Sequence, residues 1–232
     1  MKKIRIPGEL GYLFAILILA LAVAILTSAN FGISMIVAPA YLLSVKVGVL
    51  SFGQAEYVVQ ACLFLIMCIV LRRFRPVYLM SFVTCLIYGR VLDFWRTLPF
   101  LNPNVTPVGS MALWVRILMY VAGIFLTALA IALFYNVYIY PQVYDFFVKA
   151  ITQRYGIKLS IFKTAFDFTC LGVSLLMTFC FFGKLVGVNG GTLVMTVVNG
   201  TNISFFTKIL GRYFEFPPLF PRFSKAFALE EE

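Results

Sequence analysis

The sequence predicts an all-α integral membrane protein with six transmembrane helices in a 3+3 inverted repeat, and a short re-entrant or interfacial helix in each half. Three observations predict it. Hydrophobic residues make up 62% of the chain and charged residues only 12%, where soluble domains carry about 25% charged residues. Three stretches hold no charged residue at all: Leu10–Val45, Ile117–Tyr144 and Leu185–Thr207. Each is longer than the roughly 18 apolar residues that argue for a membrane span. The third observation is that one pattern of spans and punctuation occurs twice.

The first copy opens with a span, Leu10–Asn30, running into Ala29-Asn30-Phe31-Gly32. Met1-Lys2-Lys3-Ile4-Arg5 before it resembles the start of a signal peptide, but the apolar run that follows is too long for one and ends on no clean small-residue cleavage site. It is read as the first span. Ile33–Val47, with Pro39, is almost wholly apolar and helical in pattern. Its 15 residues would cover roughly 22 Å at about 1.5 Å per residue, less than the bilayer core of about 30 Å. Leu50-Ser51-Phe52 then leads into the second span, Ser51–Leu71, and the third, Val77–Leu92, closes on Tyr88-Gly89-Arg90. Only Val77–Gly89 precedes Arg90 without charge, so this span is expected to be short or broken.

The order recurs with Ser160 standing 109 positions after Ser51. A fourth span, Leu113–Tyr135, runs into Tyr135-Asn136-Val137. Pro141–Tyr155 matches the first linking segment but is amphipathic: Val143, Phe146, Phe147, Ala150 and Ile151 face one way, and Asp145, Lys149, Thr152 and Gln153 the other. Leu159-Ser160-Ile161 opens the fifth span, Ile161–Phe182. The sixth, Leu185–Thr207, contains Gly187, Gly190, Gly191 and Gly200 and closes on Asn199-Gly200-Thr201. Paired short or glycine-interrupted segments mark the sites of transporters built from inverted repeats, although small residues also serve plain helix contact. The two linking segments keep two readings: helices that seal the bundle at the interface, or gates whose ends point at a solute. The chain is one membrane domain, 1–232, with repeats at about 8–96 and 112–212.

Charge sets the expected orientation. With the amino terminus inside, Lys2, Lys3, Arg5, the Arg72-Arg73-Phe74-Arg75 loop, Lys149, Arg154, Lys158, Lys163, Lys208, Arg212, Arg222 and Lys225 all fall on the cytoplasmic side. The outside receives Lys46, Arg96 and Lys184, with Arg90 and Arg116 near it. The net charge of +10 is therefore a topological signal, and no nucleic-acid partner is expected. Three crossings per half are odd in number, so the second half enters the membrane inverted, and a site is expected near the midplane. Both termini are expected in the cytoplasm, in the plasma membrane.

Few polar groups at membrane depth are available to build that site. An ionisable residue within a span costs about 2.5–3.5 kcal/mol on insertion scales, so each needs a partner or a role. Glu56 has no partner nearby in sequence and is the first candidate, with Gln54 and Gln60 beside it on the second span. Arg116 is a candidate to meet it or an anionic solute. Asp167 stands four residues after Lys163, a spacing that also makes an ordinary ion pair. Arg90 and Asp93 have the spacing of an interfacial pair. Asn199 and Asn202 with the Gly190-Gly191 backbone complete the candidate substrate-binding set. Asn30 and Asn136 end the first span of each half and are read as helix caps. The five cysteines lie in apolar spans, with no CxxC and no histidine, so neither a disulfide framework nor a zinc site is expected. No cofactor and no enzymatic activity is expected.

Four stretches resemble the YczE/YyaS/YitT family of bacterial membrane proteins: Asn30-Phe31-Gly32-Ile33-Ser34, Leu50-Ser51-Phe52-Gly53, Tyr140-Pro141 with Asp145, and Gly187-Val188-Asn189-Gly190-Gly191-Thr192. In that family the last motif looks like Gly-x-Gly-Thr. This chain carries one residue more there, and its Tyr135–Tyr144 stretch is aromatic where the family's contains glycine. The resemblance implies a transporter-like architecture and no particular substrate.

The function expected is a transporter-like permease for a small polar or charged solute, working by alternating access, with Glu56 holding a coupling cation, a proton or a positive group of the solute. A substrate-capture subunit of a multi-subunit vitamin importer, which would copurify with an ATPase, and a channel or regulatory membrane protein remain as alternatives. The expected partners are the lipid bilayer, the solute and a coupling cation; a homodimer is left open.

Overall fold

The computed structural model describes residues 3–72, 74–102, 104–107, 110–221 and 224. Lys2, Arg73, Arg222 and Lys225, counted in the charge tally, lie outside the described residues. Eight helices follow in order: α1 (Gly8–Ala29), α2 (Ala38–Val47), α3 (Phe52–Leu71), α4 (Leu79–Trp95), α5 (Leu113–Asn136), α6 (Val143–Tyr155), α7 (Leu159–Phe182) and α8 (Gly190–Tyr213). A two-residue strand at each end of the bundle, β1 (Ile4–Arg5) and β2 (Phe214–Glu215), pairs in parallel with the other, and Arg5 Nε donates to Glu215 Oε2 at 3.0 Å. The segments just before α1 and just after α8 therefore meet, a contact that nothing in the apolar pattern announced.

Six helices are long and apolar enough to cross a membrane: α1, α3, α4 with its leading 3₁₀ turn from Pro76, α5, α7 and α8. These match the six expected spans to within a few residues, with two corrections. The third span is neither short nor broken: it runs from Pro76 to Trp95 without interruption. The sixth is likewise continuous from Gly190 to Tyr213, and Leu185–Asn189 belongs to the connection before it. There Gly187, at φ +70°, turns the chain so that its carbonyl accepts the Ile33 N–H at 3.2 Å. An apolar environment removes any water that could solvate a broken backbone, so a lone glycine such as Gly200 stays helical.

The centre of the bundle is α1 against α5. Both carry buried small residues, Ala15, Ala20, Ala22 and Ala24 on α1 and Gly123, Ala128 and Ala132 on α5, and a β-carbon on Gly123 would stand 2.6 Å from the Leu26 side chain. Small side chains let two backbones approach where lipid supplies no hydrophobic drive for association. α4 packs on α1, and α8 packs on α5. α2 lies on α3, and α6 on α7; α2 also touches α7, and α6 also touches α3. Each contact has a counterpart with the halves exchanged. Two pairs break the correspondence. α4 touches α6, whereas α8 and α2 meet at most marginally among the described residues. α3 and α4 pack closely, whereas α7 and α8 meet only marginally among the described residues.

The α3–α4 contact is a glycine crossing. A β-carbon on Gly89 would stand 2.9 Å from the Gly53 carbonyl oxygen and would clash with the edge of the Tyr57 ring. Ser51 caps α3: its hydroxyl accepts the Gln54 N–H at 3.1 Å, and Gln54 Oε1 accepts the Ser51 N–H at 2.9 Å. The Ser51 hydroxyl also donates to Asp93 Oδ2 at 2.5 Å, and the Gly53 N–H donates to Asp93 Oδ1 at 2.9 Å. Asp93 thus serves the start of α3 rather than forming the expected pair with Arg90. Ser51→Ala removes a cap and a partner of Asp93 together. The expected loss is about 1–2 kcal/mol, readable as a lower melting temperature in detergent.

Candidate functional site

Along α3 the inward positions are Phe52, Gly53, Glu56, Gln60, Phe64, Met67 and Leu71, all buried at helical spacing. The face is polar in its upper half and apolar below. The polar half meets the start of α6. Pro141, which has no N–H, and Gln142 end an extended stretch that delivers the chain to this point. Tyr140 is held there, its carbonyl accepting the Thr84 hydroxyl at 3.0 Å and its ring stacked on Phe146 at 4.4 Å.

Glu56 is fully buried. Its Oε2 accepts hydrogen bonds from Gln60 Nε2 at 3.0 Å and from the Tyr144 hydroxyl at 3.0 Å. Gln60 Nε2 also donates to Gln142 Oε1 at 2.8 Å, and Gln60 Oε1 accepts the Val143 N–H at 3.1 Å. Two atoms of this cluster have no partner among the described residues: Glu56 Oε1 and Gln142 Nε2. One is an acceptor and the other a donor. Every group bonded to the carboxylate is neutral, so its charge is met only by hydrogen bonds and by the positive end of the α6 dipole. A buried polar atom left unpaired costs about 1–3 kcal/mol, more when charged. The vacant oxygen is therefore a place where a proton or a small cation is favourable.

A second cluster joins α6 to α7 directly beside the first. Lys163 Nζ stands 3.5 Å from Asp145 Oδ1 and 3.5 Å from Asp167 Oδ1, and all three side chains are largely shielded. Tyr144 and Asp145 are consecutive, so the first turn of α6 serves both clusters. Asp167 does make the i,i+4 pair with Lys163 that its spacing suggested, within a triad that carries two acids for one base.

The expected site residues divide. Glu56 and Gln60 are brought together with Gln142 and Tyr144, and Asp167 lies in the neighbouring triad. Gln54 is the capping residue of α3 and is exposed. Gly190 begins α8 with open space beside it, and Gly191 is a tether, its N–H donating to the Phe31 carbonyl at 3.0 Å and its carbonyl accepting from Tyr120. Asn199 and Asn202 share the face of α8 that carries Met195 and Leu210, and α8 packs on α5 rather than on α3. Their Oδ1 and Nδ2 atoms respectively are buried with no partner among the described residues, yet they do not join Glu56. Arg116 also lies elsewhere, donating to the Ala29 carbonyl at 3.0 Å and covering the Phe31 ring at 4.7 Å. It caps the end of α1 beside Asn30, whose φ of 54° makes it the left-handed cap expected there. Gln142, Tyr144 and Asp145 were the residues to find. Their signal was position: they open an amphipathic helix directly after a proline.

Six apolar helices of spanning length round a buried carboxylate are the features of a multi-pass membrane protein. The chain belongs to a family described as a family of unknown function (DUF6198), whose model matches residues 6–208. That match does not carry the YczE/YyaS/YitT name, which stays a resemblance. No curated protein and no solved structure matches the chain.

Proposed function

We propose that the protein is a transporter-like permease for a small polar or charged solute, working by alternating access, with Glu56 as the group that binds a coupling proton or cation. The observation that carries this reading is Glu56 itself: fully buried, bonded only to neutral groups, and with Oε1 unpaired. A static structural carboxylate would be expected to have a cationic or fully hydrogen-bonded environment.

The packing supports the inverted repeat. Exchanging the halves maps α1–α4 onto α5–α8, α2–α3 onto α6–α7, and α2–α7 onto α6–α3. α6 begins beside Glu56 and Gln60, and the Tyr155 hydroxyl at its far end donates to the Val70 carbonyl at 2.7 Å, so it runs alongside α3 in the same direction. If α3 ends in the cytoplasm, as the charge asymmetry requires, α6 starts inside the bilayer and returns to the surface it came from. That is a re-entrant helix whose positive end faces the carboxylate, the arrangement of transporter sites. One unequal pair fits alternation as well, with α3–α4 closed while α7–α8 are parted. The same reading puts both termini on the cytoplasmic side of the plasma membrane, the side on which β1 and β2 pair.

Uptake of labelled amino acids, carboxylates and amines into liposomes tests this. Wild-type protein is expected to accumulate one class, and Glu56→Gln to reduce its initial rate by about tenfold or more, as loss of a coupling charge removes a step that binding energy drives. Uptake by the variant at the wild-type rate would remove Glu56 from the mechanism.

A further inference from the structure

The amino-terminal end of α3, about one turn before Glu56, borders a crevice of about 460 Å³, formed with the end of α2, the end of α4 and the segment after it. This volume lies within the range of about 300–1,000 Å³ that small-molecule sites occupy. Its polar groups are unequally engaged. Both oxygens of Asp93 are taken by the Ser51 hydroxyl and the Gly53 N–H. Gln54 Oε1 accepts the Ser51 N–H, and Asn102 Oδ1 accepts the Asn104 N–H at 3.0 Å. Because a backbone N–H must be met by a carbonyl oxygen, both amides are fixed with their NH₂ groups turned to the other side. The Arg96 guanidinium lies over the Phe52 ring at 5.3 Å and within electrostatic reach of the Asp93 carboxylate and of Tyr41, but it makes no hydrogen bond and no ion pair within 4 Å among the described residues. Among the described residues the lining therefore keeps three donors without a hydrogen-bond acceptor, the Arg96 fork and the amide NH₂ groups of Gln54 and Asn102, with the exposed Asn104 amide beside them.

We propose that this crevice is a binding site for a small solute bearing a carboxylate, with Arg96 as its principal ligand and Gln54 and Asn102 completing the donor set. An arginine fork matches the two oxygens of a carboxylate, and its stacking on Phe52 holds it in place without using its N–H groups. The site is separate from Glu56 and lies on the side assigned to the exterior by charge. It closes over the Ser51–Asp93 contact that ties α3 to α4, where an arriving solute would bind before that contact opened. Only this last role rests on the transport reading; the site itself does not.

Titration of the purified full-length protein in detergent tests it, with the melting temperature as readout and succinate as the probe. Succinamide, sodium chloride at matched ionic strength and inorganic phosphate serve as comparisons. Succinate is expected to stabilise saturably and succinamide not. Arg96→Gln should weaken the succinate effect by about tenfold or more, and Asn102→Ala, which leaves the Arg96–Phe52 contact untouched, by about threefold. Glu56→Gln should bind as the wild type does, so loss of transport with this binding intact counts against the transport reading alone. Succinate acting no better than succinamide or chloride overturns the proposal, as does phosphate outcompeting succinate. If Arg96→Gln does not fold, wild-type binding by Asn102→Ala is sufficient to overturn it.

Discussion

Gly53→Ala is expected to lower the melting temperature of the purified protein by roughly 6–12 °C, from an overpacking cost of about 3 kcal/mol. A β-carbon at this position would lie inside the van der Waals envelope of the Gly89 carbonyl oxygen and 2.7 Å from Asp93 Oδ2. Neither neighbour is the free end of a flexible chain. The carbonyl is part of the α4 backbone, and Asp93 is held by two hydrogen bonds at the start of α3. Relief requires the two helices to separate, which breaks those bonds as well. Gly200→Ala is the matched control. In the doubled sequence pattern Gly200 takes the place of Gly89, but a β-carbon there meets nothing within 4 Å. It is expected to leave the melting temperature unchanged or raise it slightly, since alanine favours a helix over glycine by about 1 kcal/mol. Equal destabilisation by both substitutions would mean that the halves pack alike in the membrane. Under the proposed mechanism, Gly53→Ala also biases the protein toward the state in which α3 and α4 part.

The difference between these two glycines marks the boundary of what the sequence discloses. Apolar run length placed all six long helices, because a membrane span is specified by composition over some twenty residues and needs no knowledge of its neighbours. Which Gly meets which helix was not, because a glycine reads the same whether it touches another backbone, as Gly89 does, or faces outward, as Gly200 does. The candidate site divides for the same reason. Glu56 and Gln60 are one turn apart on one helix, so their meeting followed from helical period. Their partners Gln142 and Tyr144 lie more than eighty positions away, and only the return of α6 along α3 brings them together. Asn199 and Asn202 carried the same kind of polar signal and joined a different helix pair. Arg116 matched Glu56 in charge alone, and charge does not specify a neighbour.

Lys163→Met is expected to destabilise the protein by about 3–5 kcal/mol, the cost of leaving buried charge without its counter-ion. Lys163 is the base between Asp145 and Asp167, at 3.5 Å from each, and the three side chains are at most 25% exposed. Without it, two carboxylates on α6 and α7 face each other. One would have to take up a proton, or the helices would have to move apart to admit water. The triple variant Asp145→Asn, Lys163→Met, Asp167→Asn keeps the approximate volumes and removes every charge. It is expected to recover most of the lost stability, because a neutral cluster has no desolvation penalty to offset. Melting curves in detergent at one pH compare the three proteins. If the single and triple variants fall equally, the loss comes from the packing of the lysine stem and not from its charge. The consequence reaches Glu56 because Asp145 follows Tyr144 in the first turn of α6. When that turn shifts, the Tyr144 hydroxyl leaves the carboxylate, and Glu56 then has Gln60 alone as a donor. The triad is thus expected to set the position of α6 on which the Glu56 site depends, so that under the proposed mechanism Lys163→Met lowers solute uptake even in protein that remains folded, and the triple variant restores it in proportion to its stability.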